Sequence, residues 1–257
     1  MKKGHLLVAL MMVIGATGIG FAADGDSALT TTVDITWVSQ YIWRGFDVFD
    51  DAGAVQPSID IAVGDTGLSF NIWSSHADTS GRADVDHEWD YTIAYGTSFA
   101  EGEVGQVDFS LWYTYFDYPV AYTKDSDMAE IGATISMPNL LECGLVPSYS
   151  WIQMWDAKSG GANEGSSGDI HIFGLGYTVE CQDSGQALDL GWDIVYNDGA
   201  GAGGIDHDWS HMVWSASTSF DLGMGSFTPA VYYQNSFEDT VNTEDELWVS
   251  LSYGISF

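Results

Sequence analysis

From Thr30 to Phe257 apolar side chains alternate with polar or small ones at a period of two residues. Successive side chains of a strand point to opposite faces, so this period predicts strands that are apolar on one face and wet on the other. Residues 30–43 set Val33, Ile35 and Trp37 against Asp34, Thr36 and Gln40; residues 54–63 set Val55, Ile59 and Ile61 against Gln56, Ser58 and Asp60. The pattern recurs at 67–75, 87–99, 106–118, 127–137, 145–156, 169–181, 187–197, 208–220, 226–235 and 245–257, which makes twelve predicted strands.

The connections between them alternate in character. One set is short and tight (64–66, 100–105, 138–144, 182–186, 222–225); the other is longer, acidic and glycine-rich (44–53, 76–86, 119–126, 157–168, 198–207, 236–244). That asymmetry predicts an all-β fold: a closed antiparallel transmembrane β-barrel of about 12 strands, with short periplasmic turns, longer extracellular loops and both termini on the periplasmic side. Strands of about 9–11 residues suit a tilted crossing of the hydrocarbon layer. Closure is required because an unpaired N–H or C=O in lipid costs several kcal/mol. Proline lacks the ladder donor, and Pro57, Pro147 and Pro229 fall near predicted strand ends while Pro119 and Pro138 fall in connectors. A secreted β-sandwich or jelly roll also yields many short alternating strands. Against it stand the bulky aromatic apolar face, with Trp or Tyr near the strand ends as a membrane girdle requires, and the last segment. That segment, 247–257, alternates to a terminal Phe257 and resembles the C-terminal assembly signature of bacterial outer-membrane barrels. It implies the outer-membrane assembly machinery and outer-membrane lipid as partners.

Lys2 and Lys3 precede an apolar run from Leu6 to Ile14, then small residues up to Ala22. This is the pattern of a secretory signal peptide over 1–22, and the run is too short for a membrane-spanning helix. The mature barrel is then residues 23–257, 257 − 22 = 235 residues. Its localisation is the cell outer membrane. The whole chain carries 37 acidic residues against six basic, and removing two lysines leaves 4 − 37 = −33. Nucleic acid, which needs a basic footprint, is excluded as a partner.

If the bulky residues face lipid, the other set faces the lumen: Asp34, Asp60, Glu88, Asp90, Asp108, Glu130, Glu180, Asp189, Asp193 and Glu246, with Arg44 the one basic residue placed inward. Asp60, Asp90, Glu130 and Asp193 are the predicted constriction, because charged rings select by sign and an acidic ring favours cations. Inward Trp73, Trp112 and Trp248 narrow the lumen. The function this implies is an outer-membrane porin-like channel for passive diffusion of cations or small polar solutes. Arg44 either pairs with lumen carboxylates or recognises a substrate carboxylate. Alternatives are a non-conducting barrel whose acidic loops serve adhesion, and a rim-site enzyme. His76, His87, His171, His207 and His211 cluster towards the loops, and His207-Asp208-Trp209-Ser210-His211 holds the side-chain types for hydrolysis, but acid–base work needs distances that a sequence does not carry. The expectation is no enzyme, no cofactor and no metal site. The loop acids Asp47, Asp50, Asp51, Asp84, Asp86, Asp198, Asp206 and Asp208 offer hard oxygens to Ca²⁺ without an EF-hand spacing.

Cys143 and Cys181 centre on residue 162, and the loop 157–168 between the flanking strands centres on 162.5. The coincidence predicts a structural disulfide at the periplasmic base of the hairpin, in an oxidising compartment.

Ser39-Gln-Tyr41-Ile-Trp43-Arg44-Gly45, followed by Val55-Gln56-Pro57, resembles the opening of the TorF-type porins of Gram-negative bacteria. Further matches are Gly67 to Ser75, Glu88 to Tyr91 with Tyr95-Gly96, Trp112 to Tyr115 with Tyr118-Pro119, and Glu130-Ile-Gly132. They span 30–137, with aromatic-Arg-Gly at 43–45 the most specific, and imply an outer-membrane barrel.

Overall fold

The structure is a computed structural model that describes residues 29–78, 87–119, 126–157, 165–181, 185–201, 205, 207–237 and 241–257; the expected signal peptide lies outside them. Twelve long strands are present: β1 (Thr30–Val38), β2 (Ala54–Ala62), β3 (Leu68–Ala77), β4 (His87–Phe99), β5 (Val107–Asp117), β6 (Met128–Ser136), β7 (Val146–Asp156), β8 (Gly168–Cys181), β9 (Gln186–Asp198), β10 (His207–Ser217), β11 (Ser226–Ser236) and β12 (Glu246–Ser256). Each pairs antiparallel with the next, and β12 returns to β1 through Thr32↔Ser256 to Val38↔Ser250, so the sheet is a closed ring. The terminal Phe257 stitches the seam: its N–H donates to the Thr31 carbonyl (2.9 Å) and its carbonyl accepts from Thr31 N–H (3.0 Å).

The period of two decides what each face meets. Ile35, Phe70, Tyr91, Tyr113, Phe173, Val231 and Leu247 stand exposed on the outside, while Thr36, Asn71 and Thr114 from the same strands are buried inside. An apolar band that encircles a molecule is an aggregation surface in water and a burial surface in lipid. Pro57 sits within β2 opposite Ile35 rather than at its end. Pairing with β3 is recorded at Val55↔His76 and Ser58↔Trp73 and lapses at the two positions between, where proline offers no N–H.

Three expectations need correction. The first strand ends at Val38, not residue 43, because the chain turns into the barrel there. The tenth ends at Ser217, and Phe220–Asp221 pairs instead with Phe227 and Ser226 across the turn. Cys143 and Cys181 are exposed and no disulfide joins them. The β7–β8 register runs from Met154↔Gly168 to Val146↔Gly176, centred on residue 161, so Cys143 and Cys181 are not opposite. Pairing of β7 with β8 also stops before either cysteine is reached.

Candidate functional site: a hairpin laid across the lumen

After β1 the segment 39–53 folds inward. Ile42–Trp43 pairs with Phe46–Asp47 through Ile42↔Asp47 and Trp43↔Phe46, leaving Arg44 and Gly45 as a two-residue turn with φ of 49° and 94°. Positive φ at both central positions is the type I′ hairpin turn, in which glycine suits the second place and an Asn or Gly usually takes the first. Arg44 in the left-handed region is a strained residue, held by what its guanidinium binds.

Arg44, 3% exposed, lies over the Trp43 ring at 4.5 Å. Its Nη1 donates to Glu130 Oε2 at 2.5 Å and its Nη2 to Glu130 Oε1 at 2.9 Å; Nη1 also meets Met154 Sδ at 3.3 Å. The paired fork is the strong, planar form of a charge-assisted contact. Trp112 Nε1 donates to Glu130 Oε1 at 2.8 Å, so the carboxylate on β6 accepts three N–H groups. The far side of the hairpin is equally fixed. Gln234 Nε2 donates to the Gly45 carbonyl at 3.2 Å, and a β-carbon at 45 would stand 2.7 Å from His211 Nδ1. The hairpin therefore leaves β1, reaches β6 and β7 with its tip, and rests its back on β10 and β11.

Hydrogen bonds and apolar packing secure the rest of the segment. Glu88 on β4 accepts from Tyr41 and Tyr118, each at 2.9 Å. Gln40 Nε2 lies 2.8 Å from Glu246 Oε2 and 2.9 Å from Asp51 Oδ1. Three buried apolar groups fill the loop half of the barrel. Phe116, Met128, Ile152, Met154, Ile170, Ile172 and Val195 gather with Trp43 and Trp112. Tyr41 and Phe49 gather with Trp73, and Ile42 with Val213, Tyr232 and Trp248. The three inward tryptophans expected from the alternation are thus present in the lumen.

The acids do not form one ring. Glu130 stands near the loop end of β6 beside Arg44, with Glu88 and Asp90 near the loop end of β4. Asp60 stands near the short turn 64–66, accepting from Asn71 Nδ2 at 2.9 Å. Asp193 lies mid-way along β9, 7% exposed. Glu246 opens β12 in contact with Gln40 and with Asn242. Asp108 accepts from Ser98 and Gln106 at the turn end of β5, and Asp189 accepts from Thr178 near the turn end of β9. Glu180 is exposed at the turn end of β8. Strand tilt and differing positions along each strand spread these groups through the depth of the barrel.

Ser210 and His211 do meet, Oγ to Nδ1 at 2.8 Å, because a register shift in the β9–β10 pairing puts two residues of β10 opposite one. Both are buried, at 1% and 2% exposure, and Gly45 lies against the imidazole. Asp208 accepts from Trp209 N–H instead, and Asp198 holds His207; the run 207–211 does not bring its own Ser, His and Asp together. His76 and His87 face each other, Nδ1 to Nδ1 at 2.8 Å, at the loop ends of β3 and β4. His171 Nδ1 meets Tyr149 Oη at 2.8 Å. Among the described residues no group of three His, Cys, Asp or Glu could hold a metal ion. Of the loop acids, Asp84, Asp86 and Asp206 lie outside the described residues. The sequence reading missed the inward hairpin, Gln234 and the role of Gly132; the signals were the Arg-Gly pair and a glycine amid the strand at 127–137.

No curated protein matches this chain. Among solved structures, the COG4313 outer membrane channel from Pseudomonas putida F1 is 11% identical with a TM-score of 0.51, covering 92% of this chain and 100% of that one. The KdgM porin is 9% identical with a TM-score of 0.49, covering 88% and 98%. The NanC porin is 12% identical with a TM-score of 0.49, covering 88% and 98%. The fold is that of an outer-membrane β-barrel. The family model described as a bacterial protein of unknown function (Gcw_chp) matches residues 22–152, and the chain belongs to that family.

Proposed function

We propose that this protein is an outer-membrane porin-like channel passing cations or small polar solutes by passive diffusion, with the hairpin 42–47 as its constriction. The observation that carries the reading is charge. Arg44 is the one Lys or Arg among the described residues, and Glu130 neutralises it through a two-pronged pair. Asp34, Asp60, Glu88, Asp90, Asp193 and Glu246 then face the interior with no second Lys or Arg among the described residues to balance them. A low-dielectric wall lined by one sign of charge raises the local concentration of the opposite ion. Arg44 thus serves to pin the constriction, not to take a substrate carboxylate. The likeness of residues 30–137 to TorF-type porins supports the same reading, as does the fold shared with an outer membrane channel. Export by the signal peptide and assembly through the strand ending in Phe257 belong to it. Purified protein in planar lipid bilayers is the test: discrete conductance steps are expected, and their absence at any protein load contradicts the proposal.

A further inference from the structure

Asp193, like Asp90, has a buried carboxylate oxygen without a hydrogen-bond partner among the described residues. It is 7% exposed, and the unpartnered oxygen is its Oδ1. Across from it on β8 stands Gly174, and across from it on β10 stands the buried Val213. Toward the loop edge the next lumen-facing positions are Val195 and Ile172, 4% and 5% exposed, part of the apolar group beneath the hairpin. Toward the turn edge the side chains are small: Gly176 faces Gly191, the Ser215 hydroxyl lies over Gly191, and beyond them Thr178 bonds Asp189. A strip of glycine and serine therefore leads from the turn edge to a carboxylate with one unpaired oxygen under an apolar ceiling. A buried carboxylate stays charged only if a cation reaches it, and the one described Arg is engaged by Glu130.

We propose that Asp193 is a binding subsite for the ammonium or guanidinium head of an organic cation entering from the periplasmic side, with the carbon part of that cation lying against Val195, Ile172 and Val213. The proposal rests on the channel reading and names its solute class. A divalent metal does not fit, since Ca²⁺ takes six to eight oxygen ligands and Mg²⁺ a near-ideal octahedron, whereas the residues directly opposite Asp193 are Gly174 and Val213, with only the hydroxyls of Ser148 and Ser215 one position further off. A monovalent head with an alkyl tail uses both the carboxylate and the apolar rim.

The test is block of KCl current by n-butylammonium added to the periplasmic side of the purified protein in a planar bilayer, read against each protein's own unblocked current. The wild type shows saturable block, and Asp193→Asn raises the half-blocking concentration about tenfold or more, the loss of one charge-assisted hydrogen bond. Gly176→Val keeps the carboxylate, fills the strip and weakens the block in the same direction. Equal block in wild type and Asp193→Asn, or block by Ca²⁺ at lower concentration than by butylammonium, overturns the subsite. Calorimetric titration of butylammonium into the detergent-solubilised barrel separates the two claims. Heat of binding that depends on Asp193 without conductance steps keeps the subsite and sinks the channel; steps without any Asp193-dependent binding or block do the reverse.

Discussion

The Trp112 indole lies across Gly132, where a β-carbon would stand 2.1 Å from the ring. The two residues are direct partners on β5 and β6, and the bare position allows the indole N–H to reach Glu130, 2.8 Å away. Glu130 in turn grips Arg44. A glycine that touches neither charge therefore sets the geometry of the ion pair that fixes the hairpin.

Gly132→Ala forces the indole off its seat, because the ring is rigid and the added carbon meets its edge. Overpacking of this kind costs about 1–3 kcal/mol. Urea unfolding of the refolded barrel in detergent, followed by tryptophan fluorescence, is expected to show that loss; an unchanged midpoint contradicts the role given to Gly132.

Arg44→Ala leaves Glu130 buried with Trp112 as its remaining donor. Removing one partner of a buried pair costs about 3–5 kcal/mol if the rest stays in place. Release of the hairpin relieves that cost by letting water reach Glu130. The variant is expected to give larger single-channel conductance and faster proteolysis within 39–53. Conductance equal to wild type, with the hairpin still protected, contradicts the assignment of this segment as the constriction. Glu130→Gln keeps an acceptor for the guanidinium and is expected to shift both readings less.

The turn before β12 offers a pH test outside the membrane. Asp245 accepts from Tyr233 Oη (2.8 Å), Asn235 Nδ2 (2.9 Å) and Ser236 N–H (3.0 Å), and these bonds, that from Tyr233 foremost, hold its carboxyl below the ordinary Asp value. The folded pKa lies under the unfolded one, so the contribution to stability is present above the unfolded value, roughly 4, and is lost as the pH falls through the folded value. NMR titration of Asp245 in micelles is expected to show the depressed value, and Tyr233→Phe to raise it. A titration that Tyr233→Phe leaves unmoved contradicts the hydrogen-bond account.

The barrel was legible because lipid imposes one rule on all twelve strands. β4 matches its predicted bounds of 87–99, and β11 ends at Ser236 where 235 was expected. Tyr41 and Trp43 continue the alternation of β1 yet leave the wall, since apolarity alone does not distinguish a ring facing acyl chains from one packed on Phe116 or Phe49. Ile152, Met154, Ile170 and Ile172 are inward and apolar for the same reason: they meet the hairpin, not water. The disulfide expectation failed on a shift of the hairpin centre, from 162.5 to 161, which no composition signal records. Glu130 keeps the polar phase of β6, but Arg44 lies beyond the end of β1 and comes inside, and to Glu130, through the fold of 39–53.

Ion selectivity tests the central claim most directly. With wild-type protein in a bilayer separating KCl solutions that differ roughly tenfold in concentration, an acid-lined lumen passes K⁺ ahead of Cl⁻, so the dilute side is expected to settle positive at zero current. A dilute side that settles negative, the mark of anion preference, contradicts the account.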